Sequence, residues 1–353
     1  MRVRCIPSSP NWLNSFYIGN LIRELQAQGV EFDLSGDESG DFLSARWLRQ
    51  NARDVDLLHF QWTHYHYTTL NWLRSVLELI KFVGKLVLAR GLGYKIVWTM
   101  HNYMPHERTY PLLHYTERFL MARLAHAVIV HCEYGRYLLR RKLLRRGNLF
   151  VIPLGDFGPY LPPNLARQAA RERLGIAKEA LVFYFFGSIR PYKQIPQLLR
   201  EFATVTGANL RLIITGATLN DALRTEVQQL AACDSRVQTR LEYIPDAELA
   251  VYLGAADVAV FPYRDILGSG SVMLALSTGL PVIAPQVGGL AELVTPACGI
   301  LYDPASETLT QALEQSRSRD LQAMGQAAQA RAREFPWQGM VQELFEVYRK
   351  ALR

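Results

Sequence analysis

The chain has 353 residues, 49 % of them apolar and 20 % charged. That composition excludes a disordered or fibrous protein, and the length exceeds what one hydrophobic core usually fills, so two domains are expected. The net charge of +7 favours anionic partners (nucleotide phosphates, nucleic acid or acidic lipid headgroups) without choosing among them.

In chain order, residues 3–6 read as a strand that runs into Pro7 with no apolar leader before it, so no signal peptide is expected. A helix over 13–28 stops at Gly29, and strands follow at 30–34, 55–61, 95–100, 127–131 and 149–153. The most apolar segment, 70–89, carries Arg74, Glu78, Lys81 and Lys85 at helical spacing. It therefore reads as an amphipathic helix and not a membrane span; it either packs on its own domain or lies on a membrane surface. Residues 112–124 are helical. The stretch 134–150 holds Arg136, Arg140, Arg141, Lys142, Arg145 and Arg146 and no acid. Wound as a helix, it places Leu139, Leu143 and Leu144 away from Arg141, Lys142 and Arg145, giving either a solvated face or one that lies on anionic lipid. No aromatic-interleaved or groove-reading motif accompanies these charges, so nucleic acid is not expected as a partner.

Pro153, Gly155, Gly158, Pro159, Pro162 and Pro163 make 153–163 the candidate linker. Beyond it come strands at 181–186, 210–215, 237–244, 258–262, 281–284 and 299–302. Helices at 196–205, 221–231, 246–254 and 271–277 alternate with them, and a helical tail follows. Strands alternating with helices predict an α/β chain of two Rossmann-like, doubly wound domains facing across a cleft, with ligands at the carboxyl ends of the strands. Cys5, Cys132, Cys233 and Cys298 form no C-x-x-C pair, which fits a reducing compartment better than a disulfide or zinc scaffold.

Three segments of the second half carry chemistry. In Phe185-Phe186-Gly187-Ser188-Ile189-Arg190-Pro191-Tyr192-Lys193 a buried strand ends at a glycine and two cations follow. Gly187 admits close backbone approach, while Arg190 and Lys193 suit a diphosphate; a solvated basic turn is the alternative. In Pro262-Tyr263-Arg264-Asp265-Ile266-Leu267-Gly268-Ser269-Gly270-Ser271 small residues open a helix, which is either an anion site or an ordinary N-cap. Residues 279–294 run from a strand through Gly288-Gly289 to Glu292, which either contacts a ligand or complements the helix dipole.

In this order and spacing the three segments resemble the donor-binding domain of GT-B glycosyltransferases, in particular family 4 (group 1), and the likeness covers essentially the whole chain. It implies that Gly187, Ser188, Arg190, Lys193, Gly268, Ser269, Gly270 and Ser271 meet the donor diphosphate, with Asp265 and Glu292 elsewhere on the donor. Phe335-Pro336-Trp337 and the following helix resemble the family's C-terminal helix, which returns to the first domain. The resemblance thus implies an N-terminal acceptor domain of residues 1–155 plus 336–353 and a donor domain of residues 156–335. One departure stands out. The family's two glutamates, eight positions apart, correspond to Ile266 and Leu274, so ribose recognition needs another group and the stereochemical outcome is open.

All eight histidines lie between His59 and His131. Trp98-Thr99-Met100-His101-Asn102 follows a strand and is similar to the family's histidine corner, which implies that His101 approaches the transferred sugar; a histidine satisfied within the turn is the alternative. His106 and Glu107 are candidate bases for the acceptor hydroxyl. Asn14 stands where relatives carry a glycine pair and either replaces it or simply caps the following helix, Asn102 joins it on the acceptor side, and Trp62 lies in an aromatic run suited to stacking on sugar or lining a lipid path. His64 and His66 lack a carboxylate or cysteine partner in that run, and the family generally needs no metal, so neither metal nor cofactor is expected. The expected reaction moves a hexose from a GDP- or UDP-linked sugar to an acceptor hydroxyl, such as that of a lipid-linked sugar. It would take place in the cytoplasm or on the inner face of the cell membrane. A non-catalytic nucleotide-sugar-binding subunit and a GT-B sugar-nucleotide epimerase are the alternatives.

Overall fold

Strands buried on both faces read as continuous apolar runs because helices cover each side of a parallel sheet, and Leu-Val-Phe-Tyr-Phe-Phe at 181–186 is such a run. The computed structural model, which describes residues 1–6, 16–35, 43–105 and 109–353, contains two sheets of this kind. The chain divides into two units: Met1–Pro153 with Gln338–Arg353, and Leu154–Trp337.

The first unit holds β1 (Arg2–Ile6), β2 (Glu31–Asp33), β3 (Leu57–Phe60), β4 (Lys95–Thr99), β5 (Ala127–Val130) and β6 (Leu149–Val151). All neighbours are parallel, in the order β2-β1-β3-β4-β5-β6. The chain leaves β1 for one side of the sheet and later crosses to the other, so the order reverses between β1 and β3. The connections after these strands diverge there and leave a crevice at their carboxyl ends. The C-terminal helix Trp337–Leu352 contributes Tyr348, fully buried, whose hydroxyl lies 2.7 Å from His59 Nδ1.

The second unit holds β7 (Leu181–Phe186), β8 (Leu210–Thr215), β9 (Val237–Arg240), β10 (Val258–Val260), β11 (Val282–Pro285) and β12 (Gly299–Tyr302). Their order is β12-β11-β10-β7-β8-β9, again all parallel. Here the reversal lies between β7 and β10, which makes the turns after these two strands the expected ligand loops. A helix that the sequence reading missed, Arg167–Leu174, is anchored by Arg171, which is buried and bonds Asp257 Oδ2 at 2.7 Å and Ala180 O at 2.9 Å.

The arginine-rich stretch is not one helix. Its helix spans Glu133–Arg141, and Leu144 and Asn148 then adopt left-handed backbone with φ of 53° and 47°. Arg145 turns inward, donating to the carbonyls of Ala122 and Ala125 at 2.9 Å and of His126 at 3.0 Å. Two of these belong to the C-terminal end of the helix Pro111–Leu124, where carbonyls lack intrahelical donors and favour a cation. Arg145→Ala should therefore lower stability by about 2–3 kcal/mol, read as a shift of the thermal midpoint. The exposed Arg140 and Arg141 should tolerate alanine within about 0.5 kcal/mol.

The segment read as amphipathic at 70–89 forms the helix Trp72–Gly91, and it has two apolar faces. Ser75, Leu79, Phe82, Leu86 and Ala89 are buried against the unit. On the opposite side Leu73, Leu77, Ile80 and Val87 form a stripe that is 70, 58, 63 and 55 % exposed. Arg74, Lys81 and Lys85 lie along one flank of that stripe by helical position.

Candidate functional site

In the second unit the two ligand loops meet. β7 ends at Gly187, whose φ of 104° is closed to ordinary side chains. A Cβ there would lie 3.0 Å from Ser271 Oγ and 3.3 Å from Lys193 Nζ, so a hydroxyl and an ammonium converge on a bare backbone. Lys193 ends a short 3-10 turn, Pro191–Lys193, and is only 6 % exposed. Its Nζ lies 5.6–5.9 Å from the ring centroids of Phe185, Tyr192 and Tyr263, close enough for cation–π attraction. Burial, and then the charge of Arg190, pulls its pKa down to about 8. Among the described residues no carboxylate is bonded to Lys193. A buried ammonium held by ring faces alone is a cation poised to accept an anion.

The second loop ends at Ser269, which caps the helix Gly270–Ser277 by accepting from Val272 N at 3.2 Å. The Gly270 and Ser271 amides open that helix and have no intrahelical acceptor; with the helix dipole they favour an anion. The Arg264 amide donates to the Tyr192 carbonyl at 2.9 Å and so ties the loops together. Gly268 and Ser271 are partly exposed, Gly270 and Ser188 are exposed, and Arg190 is half-buried. Asp265 and Glu292 both face outward. Ile266 and Leu274, at the positions of the missing glutamates, are buried apolar side chains. The Gly288-Gly289 turn has a packing role that sequence reading did not find. Gly288 has φ 55°, and a Cβ on it would collide with the Ile266 carbonyl, while Gly289 N donates to Leu267 O at 2.9 Å. This turn seats the loop that carries Ser269 and Ser271.

In the first unit the ends of β3, β4 and β5 bring Gln61, His101 and His131 together. His101 Nε2 lies 2.6 Å from Gln61 Oε1, and its Nδ1 lies 3.2 Å from His131 Nε2. His131 Nδ1 donates to the Ile152 carbonyl at 2.8 Å. Trp62 stacks on His101 with centroids 4.7 Å apart and planes 17° apart, and Tyr17 meets the same ring edge-on at 5.8 Å. Both ring nitrogens of His101 are thus engaged within its own unit. Burial, followed by the neighbouring His131, His59 and Arg118, pulls its pKa well below the usual histidine range, so the ring is neutral at pH 7. His59, fully buried between Tyr348 and Thr99 at 2.7 and 2.8 Å, is pushed down to about 3. Asn102 is half-buried beside His101. Asn14, His106 and Glu107 lie outside the described residues. Among the described residues no three His, Cys, Asp or Glu side chains gather as a metal-ligand group.

Sequence reasoning missed Tyr263, Gln61 and His131. Tyr263 and Gln61 stood inside segments already singled out, but nothing local marks them as partners of residues 70 or 40 positions away in the chain.

The pair of sheets, each with a strand-order reversal above a loop site, defines the GT-B fold. Sucrose-phosphate synthase from Thermosynechococcus elongatus superposes with a TM-score of 0.77 at 19 % identity, over 99 % of this chain and 98 % of that one. Anabaena HepE, solved in complex with UDP-glucose, gives 0.73 at 17 %, over 99 % and 100 %. Residues 180–319, within the second unit, match the Glycosyl transferases group 1 family. The D-inositol 3-phosphate glycosyltransferase of Corynebacterium efficiens is 32 % identical over 216 residues, 57 % of this chain and 50 % of that protein. The GDP-mannose:glycolipid 4-beta-D-mannosyltransferase of Xanthomonas campestris pv. campestris is 28 % identical over 261 residues, 70 % of this chain and 67 % of that one. The aligned region thus spans about half the length of the first of these curated relatives and about two thirds of the second.

Proposed function

We propose that the protein is a glycosyltransferase that moves a hexose from a nucleoside-diphosphate sugar to an acceptor hydroxyl. The observation that carries this reading is the meeting of Lys193 Nζ, Ser271 Oγ and the bare Gly187 backbone at the strand-order reversal of the second unit. The donor diphosphate would rest on Lys193, Arg190 and the amides of residues 268–271. Negative charge grows on the leaving diphosphate as the sugar–phosphate bond breaks, and donors already in place there lower the barrier without reorganising. In the same reading the first unit serves the acceptor, with His101, Trp62 and Asn102 as its contacts. Matches to a UDP-glucose complex and to a GDP-mannose enzyme support the donor class.

The test is a thermal-shift screen with UDP, GDP, dTDP and ADP, followed by product analysis with the corresponding sugars. A nucleotide at a hundred times its Kd should add about 2.7 kcal/mol of apparent stability. A shift with none of the four would remove the donor site, and epimerised or merely hydrolysed donor in place of a glycoside would remove the transfer reaction. Two cationic side chains and helix amides balance the leaving charge in this proposal, so excess EDTA should leave turnover unchanged.

The acceptor in this reading is a glycolipid reached at an anionic membrane surface, supported by the exposed stripe of the helix Trp72–Gly91 with basic residues on its flank. No helix among the described residues is long and apolar enough to cross a membrane. The protein should float with phosphatidylglycerol-containing vesicles. Leu73→Glu with Ile80→Glu should reduce the bound fraction at least about tenfold, since each exposed leucine-sized side chain contributes about 1.5–3 kcal/mol when buried in lipid. Equal flotation of wild type and variant would count against the membrane surface.

A further inference from the structure

The histidine pair of the first unit has its proton positions set by one backbone atom. The Ile152 carbonyl can only accept, so His131 Nδ1 carries a hydrogen. In a neutral ring His131 Nε2 is then a lone pair. It lies 3.2 Å from His101 Nδ1, which must be the donor of that bond. His101 Nε2 is left as a lone pair, 2.6 Å from the end of the Gln61 side chain. The two ends of that amide have the same shape, and a lone pair facing it calls for NH2 and not oxygen. With the His101–His131 bond kept, only a third proton on the pair would let the amide oxygen face His101; turning the amide sets its oxygen against His59 Nε2, now 3.2 Å from the Gln61 amide nitrogen, so that His59 Nε2 carries its hydrogen.

We propose that His131 is a positioning residue that holds His101 in the Nδ1–H tautomer, so that Nε2 is its one basic atom, with the Gln61 NH2 group turned toward it. Trp62 stacked on the ring and Tyr17 on its edge fix the plane in which that atom points. Among the described residues the charged and titratable groups around His101 include His131, His59 and Arg118, with the Tyr17 ring on its edge, whose hydroxyl burial keeps protonated. Burial, then His131, His59 and Arg118, disfavour a charged His101 ring, which fits the neutral state the bond order requires.

The tautomer stands independently of the proposed reaction, whereas its kinetic consequence rests on that reading. Full-length protein labelled with 15N-histidine is examined at pH 7.5 by long-range 1H–15N correlation, with the His101 signals assigned by their loss in His101→Gln. The expected wild-type pattern is a protonated Nδ1 and an unprotonated Nε2. His131→Gln, whose amide oxygen can accept in place of the ring nitrogen, should keep that pattern, and His131→Phe should lose it for a mixture. A wild-type Nε2–H tautomer, or an unchanged pattern in His131→Phe, overturns the assignment. In turnover, His131→Phe should lower kcat about tenfold with donor KM unchanged, and His131→Gln should restore most of it. The expected NMR pattern with wild-type kcat in His131→Phe would uphold the tautomer and remove His101 from the reaction.

Discussion

Lys193→Ala is expected to lower kcat/KM by about 10²-fold and to weaken UDP or GDP binding by a similar factor. A charge-assisted bond to a buried ammonium contributes about 1.5–3 kcal/mol, and Lys193 is buried among three aromatic rings, with no carboxylate bonded to it among the described residues. A second, sharper signature is pH. With its pKa pulled down to about 8 in the free protein, Lys193 loses its proton as pH rises above that value, and a bound diphosphate must restore it. Nucleotide affinity should therefore fall by up to about tenfold per pH unit above 8, as linkage requires, while Lys193→Arg, which does not titrate there, should show no such slope. The stability of the unliganded protein moves in the opposite sense. The folded pKa lies below the unfolded value, so the unfolded chain binds more protons between about pH 8 and 10.5, and stability rises with pH across that window. Wild-type affinity in Lys193→Ala, measured by calorimetry, would remove the lysine from the donor site.

Gly288→Ala should cost about 3 kcal/mol of stability and most of the nucleotide binding, although the residue itself is no part of the proposed anion pocket. Left-handed backbone penalises any side chain there, and the added methyl would occupy the space of the Ile266 carbonyl. The loop from Arg264 to Ser271 must move to admit it, taking the Ser269 cap and the first helix amides with it. Denaturant unfolding measures the first effect and nucleotide titration of the remaining folded protein the second. Normal binding in a folded Gly288→Ala would show that the loop's seat is not what places Ser271.

Gly187 is legible as a place of close backbone approach, and packing shows Lys193 Nζ and Ser271 Oγ converging on it; Gly288 is legible only as part of a turn, and packing shows that it leaves room for the Ile266 carbonyl. Arg145 shows the same limit from the other side. Within a run of arginines it looked like surface charge, yet its partners are carbonyls some twenty residues earlier in the chain. The helix Trp72–Gly91 was read as having one apolar side because charges at helical spacing were visible, whereas a second, exposed apolar stripe became distinct only when burial separated Leu79 and Phe82 from Leu77 and Ile80.

The linear order of residues determined the alternation of strand and helix, the parallel character of both sheets, and the loop chemistry after residues 186 and 262. All of these follow from short-range periodicity and from the conformational limits of glycine and proline. The tertiary structure alone decided that Lys193 and Ser271 converge on Gly187, that His101 Nδ1 lies against His131 Nε2, and that Tyr348 from the C-terminal helix meets His59. Those contacts depend on which strands lie side by side, and strand order is settled by long-range burial that no local window of sequence contains.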